Sequence, residues 1–152
     1  MIKTEPKLID YLEKNALWIV MHPLQTFDAE IHSIYPWLRA ETINFSKRID
    51  YHLKKVKYKV ICAPSAPIGY FKEYTNIQKY NQLQNYMTKN NLDTIVYCGF
   101  HYGACIVHED EVGMKITSKK YKCYAKQDLC VLNWENNWEI TDQTTSQYGT
   151  II

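Results

Sequence analysis

An apolar run near the start of the chain limits the folds that are open to it. Residues 16–21 read ALWIVM, so a strand built from them is apolar on both faces. Such a strand belongs inside a parallel sheet that is covered by helices on both sides. His22 and Pro23 end the run, because proline cannot donate a hydrogen bond to a central ladder. The sequence therefore predicts a buried first strand in an α/β protein.

Helical and strand-like segments alternate along the chain. Apolar residues at helical spacing predict helices over residues 5–14, 40–55, 77–90 and 103–115. Strand-like segments cover residues 57–63, 93–99, 121–125 and 129–132. This alternation predicts a doubly wound, mainly parallel sheet with helices on both faces and right-handed crossovers. No repeat or linker divides the chain, so we expect one domain over residues 1–152.

Charge and apolar patterning limit the partners and the cellular compartment expected for this protein. Eighteen basic and 16 acidic residues leave a net charge of +2, which gives no electrostatic reason to expect nucleic acid. No apolar run has the length of a signal-peptide core or a membrane span, so we expect no membrane partner. The five cysteines form no CxxC pair, which favours a reducing compartment over a disulfide framework. We therefore expect a cytoplasmic protein.

One cysteine stands where chemistry is expected in such a fold. Ligands of open α/β sheets bind beyond the carboxyl ends of the strands, here after Met21, Ala63 and Gly99. Cys105 follows the third of these strands and falls near the first turn of a predicted helix, where backbone N–H groups favour a thiolate. The alternative is that Cys105 packs as a small buried apolar residue, as most free cysteines do.

The segment LDTIVYCGFHYGACIV, residues 92–107, resembles the isochorismatase-like cysteine hydrolases, the superfamily that includes the nicotinamidases. In that family a strand ends in glycine and the nucleophilic cysteine follows six residues later, as Gly99 and Cys105 do here. ALWIVMHPLQTF is similar to the first strand of the family, and KCYAKQDLCV to the strand that leads into a turn at Asp128. The resemblance covers residues 16–132 and implies the same Rossmann-like, three-layer fold.

The resemblance implies a cysteine, lysine and aspartate triad. Cys105 would be the nucleophile, and counting back 27 residues from Gly99 places the charge-stabilising lysine at Lys72. His22 stands where the family has its aspartate. Histidine is a competent base for a thiol, so His22 is one candidate for the base. Asp28, six residues further on, is the other.

The resemblance also implies an oxyanion hole and a pocket. The peptide bond from Phe100 to His101 would be a cis link, and the backbone N–H groups of His101 and Cys105 would be the donors. Phe27, Phe100 and Tyr102 are the candidate pocket residues.

A metal site is not predicted. Nicotinamidase-like members carry Asp-x-His after the second strand, whereas this chain has APSAPIGY there. His101 and His108 could share one side of the helix start with Cys105, but scattered histidines without a spaced ligand set are more often surface or hydrogen-bonded core residues. We expect no metal and no other cofactor.

Taken as a family member, the chain would be a cysteine-dependent hydrolase acting on an amide or related C–N bond of a small-molecule substrate. The resemblance further implies a homo-oligomer. The alternative is a catalytically inactive relative that uses the same cleft to bind a ligand, or the same surface to pair with itself.

Overall fold

The computed structural model describes residues 5–23, 37–63, 71–100, 105–131 and 147–152. Its centre is a six-stranded sheet in which every strand pairs in parallel with its neighbours. The strands are β1 (Leu17–Met21), β2 (Tyr58–Cys62), β3 (Thr75–Asn76), β4 (Thr94–Phe100), β5 (Lys122–Val131) and β6 (Thr150–Ile151). The helices are α1 (Pro6–Asn15), α2 (Trp37–Leu53), α3 (Tyr80–Lys89) and α4 (Met114–Thr117). The predicted doubly wound α/β fold is confirmed.

The strand order β3-β2-β1-β4-β5-β6 places β1 and β4 side by side in the middle of the sheet. From β1 the chain moves outward through β2 to β3. It then returns to β4, beside β1, and moves outward in the other direction to β6. The sheet therefore has one topological switch point, between β1 and β4, among the strands that the structure describes.

Successive side chains of the strands point to opposite faces, which gives the sheet two apolar layers. Leu17, Ile19 and Met21 of β1 pack in one layer with α3, and we call this side the α3 face. Trp18 and Val20 pack in the other layer with α1 and α2, and we call this side the α2 face. The run of apolar residues on both sides of β1 is thus explained by helices on both sides of the sheet.

The single helix predicted over residues 103–115 is wrong at residues 109–113, which interrupt it. Residues 105–108 are helical and α4 begins at Met114, but residues 109–113 form a turn between them. Glu109 Oε2 accepts the backbone N–H groups of Glu111, at 2.9 Å, and Val112, at 2.6 Å, so these donors do not continue the helix. Gly113 closes the turn, since a Cβ there would lie 2.6 Å from the carbonyl oxygen of Glu109.

Two other features of the sheet go beyond the sequence patterns. β3 and β6 are two residues long, too short to show a period. The two strand-like segments at 121–125 and 129–132 belong to the single strand β5, whose pairing with β4 shifts register between Tyr97 and Gly99. Polar residues of the shifted part, such as Asp128, interrupt the apolar pattern and separate the two segments in the sequence.

Among the described residues, no helix has both the length and the apolar character needed to cross a membrane.

Candidate functional site at the switch point

The ends of β1 and β4 define a candidate site at the carboxyl edge of the sheet. In doubly wound folds the crevice outside the carboxyl ends of the strands at the switch point is the usual place for a ligand. β1 ends at Met21 and β4 at Phe100, so His22 follows one side of this crevice and the segment leading to Cys105 follows the other. β2, the other neighbour of β1, ends at Cys62 on the same edge.

Gly99 brings the backbones of β1 and β4 unusually close. Its φ is +106°, a conformation that L side chains rarely adopt. A Cβ at this position would lie 2.3 Å from the carbonyl oxygen of Met21 and 2.8 Å from its nitrogen. Only glycine satisfies both conditions, so Gly99, six residues before Cys105, has a backbone role in this fold.

His22 is held in a strained conformation at the end of β1. Its φ is +45°, and the following Pro23 disfavours the right-handed helical region for it. Its backbone N–H donates a 2.7 Å hydrogen bond to the carbonyl oxygen of Cys62, so the strained residue is fixed to β2. Left-handed backbone is uncommon at residues other than glycine, although histidine, like asparagine and aspartate, adopts it more often than most, and such residues cluster at functional sites.

Partial burial lowers the pKa of His22 below its ordinary 6.5, because desolvation disfavours the charged imidazolium, and the nearby carboxylate of Glu109 opposes this effect. The side chain is half-buried. Because the pKa lies below 6.5, the imidazole is neutral at pH 7, which is the form that can accept a proton.

Cys105 is the half-buried thiol among five free cysteines, and the other four are buried. It packs against the apolar layer on the α3 face, where Cys62 also lies. Burial raises the pKa of Cys62 to about 12, and the charges of Glu109 and Cys105 add to that effect. Burial also raises the pKa values of the buried thiols Cys98, Cys123 and Cys130. Cys105 is therefore the most accessible thiol of the chain.

Glu109 and Cys62 belong to this site, although neither was selected from the sequence. The N–H of Glu109 donates to the carbonyl oxygen of Cys105 at 3.1 Å, so the two residues are one helical turn apart. The charge of Glu109 acts on His22, Cys62 and Tyr97, which come from three different strands or strand ends. The four-residue spacing between Cys105 and Glu109, and the place of Cys62 at the end of a predicted strand, are the signals that could have identified them.

Lys72 lies exposed in the turn between β2 and β3. On either side of it, the rings of Phe71 and Tyr74 pack into the layer on the α2 face. Cys105 packs on the opposite side of the sheet, on the α3 face. The role predicted for Lys72 stays a prediction.

The remaining candidates lie outside the described residues. These are Phe27, Asp28, His101 and Tyr102, together with the side chain of Phe100. The Phe100 to His101 peptide bond and the N–H of His101 fall there as well. The base Asp28, the pocket and the oxyanion hole, including the N–H of Cys105, stay predictions.

Among the described residues, no group of three or more histidine, cysteine, aspartate and glutamate side chains is arranged to hold a metal ion. His108 is exposed. His101, the other histidine considered beside Cys105, is not described. The described carboxyl edge therefore offers a thiol, an imidazole and a carboxylate whose chemistry is acid–base and nucleophilic.

Comparison of the chain with protein-family models, with curated proteins and with solved structures finds no match.

Proposed function

We propose that this protein is a cysteine-dependent hydrolase that acts on an amide or related C–N bond of a small molecule, as the resemblance to the isochorismatase-like hydrolases implies. Cys105 is the nucleophile and His22 the base. The observation that carries the proposal is that these residues follow the two strands at the switch point, Cys105 after β4 and His22 after β1. A thiol and a neutral imidazole at one crevice are the minimum needed for a cysteine nucleophile and its base.

The reaction can be written with these two groups. The imidazole of His22 takes the proton of the Cys105 thiol, and the thiolate attacks the carbonyl carbon of the substrate. The C–N bond then breaks, and the amine leaves with the proton that His22 returns. Water, deprotonated by His22, hydrolyses the resulting thioester and regenerates the thiol. Each proton taken by the imidazole is given back, so the cycle needs no redox partner.

Accessibility alone would make Cys105 react before the four buried thiols, so selective labelling is not a sufficient test. The test is the pH dependence of its alkylation by iodoacetamide, followed by mass spectrometry of the peptide that contains Cys105. An activated thiol is alkylated with a midpoint below the pKa of about 8.5 of a free cysteine. The variant His22→Asn should move the midpoint back toward that value. The variant His52→Asn, at a half-buried histidine on α2, is the matched control and should leave it unchanged.

Activity is tested with an activated ester. Mixed with p-nitrophenyl acetate, the wild-type chain should release a burst of nitrophenolate equal to the protein concentration and carry an acetyl group on Cys105, whereas Cys105→Ser should do neither. The hydrolase proposal would be refuted if the pH midpoint of Cys105 alkylation equalled that of free cysteine and Cys105 carried no acetyl group.

The exposure of Lys72 favours a second candidate, the catalytically inactive binding or self-associating module. In the family the ammonium stabilises the charged pair, but Lys72 is exposed and its neighbours pack on the α2 face. The inactive module predicts an unactivated Cys105 and no acetyl transfer. Light scattering of the wild-type chain would then show whether self-association accompanies the loss of chemistry.

A further inference from the structure

The four helix-to-strand connections that the structure describes in full all lie at one edge of the sheet. Each leads into the start of a strand, and parallel strands start at the same edge, which we call the amino edge. The strands that follow these connections, β2, β1, β4 and β5, are consecutive neighbours in the sheet. Neighbouring strands lie about 4.8 Å apart, so the four connections form a row about 14 Å long.

Each of these connections carries exposed lysine. Between the last two residues of each helix and the first residue of the next strand lie eight exposed lysines, which we call the lysine row: Lys14, Lys54, Lys55, Lys57, Lys89, Lys119, Lys120 and Lys122. Asp93 is the acidic residue of the same segments. Glu13, one residue before Lys14, is buried and its Oε2 lies 3.9 Å from Lys55 Nζ. Eight lysines against these two carboxylates give the amino edge a charge of +6.

The net charge of the chain therefore conceals two unlike regions. Because the whole chain has a charge of +2 and the amino edge +6, the other residues sum to −4. The overall charge gives no reason to expect nucleic acid, but a bound polyanion responds to the local potential. Like charges closer than the Debye length of about 10 Å repel one another, and an anion bound along the lysine row would relieve that repulsion.

Three lysines of the row lie over tyrosine rings. Their Nζ atoms are 5.1, 5.6 and 5.4 Å from the ring centroids in the pairs Lys57 with Tyr58, Lys120 with Tyr121, and Lys122 with Tyr124. Cations within about 6 Å of a ring centroid are attracted to the ring. These lysines follow the helix ends, so they are not explained by the helix dipole, which favours a cation in a last turn such as Lys14 or Lys89.

We propose that the amino edge binds the phosphate backbone of a single-stranded nucleic acid, and that the lysine row contacts successive phosphates. Charges arranged in a row match a linear polyanion better than the plane of headgroups of a bilayer. The inference is independent of the proposed hydrolase, whose residues lie at the carboxyl edge.

Two exposed tyrosines favour a single strand over a duplex. Tyr11 and Tyr51 are 55% and 73% exposed, and they are the exposed large hydrophobic side chains of the described residues. Each lies within the last five residues of a helix that ends at the amino edge, Tyr11 in α1 and Tyr51 in α2. Aromatic rings beside a basic track stack the unpaired bases of single strands.

The test is the fluorescence anisotropy of a fluorescein-labelled oligothymidylate mixed with the full chain. If one lysine of each connection contacts a phosphate, about four counterions are released, and log affinity should fall with log salt at a slope of about −3. A fourfold rise in salt should then weaken binding about 50-fold.

Variants locate the binding surface. Lys57→Gln combined with Lys122→Gln removes a charge from each end of the row and should weaken binding about tenfold or more, with a salt slope about half as steep. The matched control combines Lys7→Gln with Lys79→Gln, which removes the same charge from exposed lysines at the starts of α1 and α3. It should change neither quantity. Tyr51→Ala should weaken binding about fivefold or more, because a stacked base is lost.

Several results would overturn the inference. Absence of oligothymidylate binding at low salt would remove it, and equal weakening in the two double variants would show a response to overall charge alone. Tighter binding to a duplex, or an unchanged affinity in Tyr51→Ala, would exclude a single strand as the ligand. Binding to vesicles of phosphatidylserine and phosphatidylcholine without binding to oligothymidylate would identify an anionic bilayer instead.

Discussion

The two edges of the central sheet each contain a non-glycine residue at positive φ, and the two residues differ in what surrounds them. At the amino edge, Asn91 has a φ of +54° and follows Asn90, the C-cap of α3. Asparagine is a common left-handed residue at a helix end, and the N–H of Leu92 donates to the carbonyl oxygen of Met87 at 2.9 Å. At the carboxyl edge, His22 has a φ of +45° and ends a strand, where no helix needs to be terminated.

Other residues at the two edges of the sheet differ in the same way. At the amino edge the turns are closed by hydrogen bonds, such as that from Trp18 Nε1 to the carbonyl oxygen of Leu12 at 2.9 Å and that from Lys122 N–H to Asp93 oxygen at 3.0 Å. At the carboxyl edge lie a strained histidine, a half-buried thiol and an anchored carboxylate. Unusual geometry at the amino edge thus closes turns, whereas at the carboxyl edge it lies beside the groups of the proposed site.

The largest effect is expected at Gly99. Gly99→Ala would put a methyl group into the backbone of β1 and force a positive φ on alanine. Strain and overpacking each cost about 1–3 kcal/mol, so a loss of about 3 kcal/mol or more in the free energy of unfolding is expected. Urea denaturation measures it. A loss below about 1 kcal/mol would show that the two strand ends can separate freely.

At the amino edge, Trp18→Phe tests whether the side-chain hydrogen bond to Leu12 holds α1 on the sheet. The variant loses the indole N–H and some buried volume, leaving the carbonyl of Leu12 without this donor. The expected loss is about 1–2 kcal/mol in the free energy of unfolding. Alkylation of Cys105 should be unchanged, because Trp18 lies on the α2 face. A slower alkylation would contradict the separation of the two edges.

Glycine substitutions at the two positive-φ positions compare the two edges of the sheet most directly. Asn91→Gly and His22→Gly both remove a side chain that disfavours the left-handed region, so each should leave stability within about 1 kcal/mol of the wild type. Only His22→Gly should slow alkylation of Cys105. Equal alkylation rates in the two variants would make the strain at His22 a feature of folding alone.

Lowering the pH should reveal the effect of burial on His22. Because the pKa of His22 in the folded chain lies below its ordinary value of 6.5, the unfolded chain binds more protons at pH values between these two pKa values. The free energy of unfolding should therefore fall as the pH is lowered through 6.5 and level off below the folded pKa. His22→Asn should reduce this dependence. The pKa of His52 is also lowered, chiefly by burial. His52 should therefore contribute separately to the pH dependence of the free energy of unfolding, and His52→Asn should remove that contribution.

The smallest effect is expected at Lys72. Lys72→Met replaces an exposed side chain, so the free energy of unfolding should stay within about 0.5 kcal/mol of the wild type. The informative measurement is the pH midpoint of Cys105 alkylation. A midpoint that rises in Lys72→Met would support the charge-stabilising role that the family resemblance assigns, and an unchanged midpoint would remove Lys72 from the mechanism.

Most of the fold could be predicted because its signals are local. An apolar run marked β1, and apolar residues at helical spacing such as Leu83 and Met87 marked α3. The turn at 109–113 could not be predicted, because it depends on a glutamate side chain that competes with the helix for two backbone donors. The two-residue strands β3 and β6 are defined by their partners rather than by a pattern.

The site was predictable to the extent that it follows strand ends. Cys105 became a candidate because it follows β4, and His22 because it follows β1 at the position where the family resemblance places an aspartate. Glu109 was missed because the sequence pattern did not predict the turn in which its carboxylate accepts two backbone N–H groups. For Lys72, counting residues from Gly99 gave a position along the chain, but such a count carries no information on which side of the sheet the position falls.

The hydrogen atom that serves as the side chain of Gly99 decides how far the central pairing of the sheet extends. It lets β1 and β4 stay paired up to Met21 and Gly99, at the edge where the proposed site lies. Any bulkier residue would push the two strand ends apart, because its Cβ would meet the backbone of Met21. The smallest side chain therefore keeps closed the part of the sheet from which the chain continues toward His22 on one side and toward Cys105 on the other.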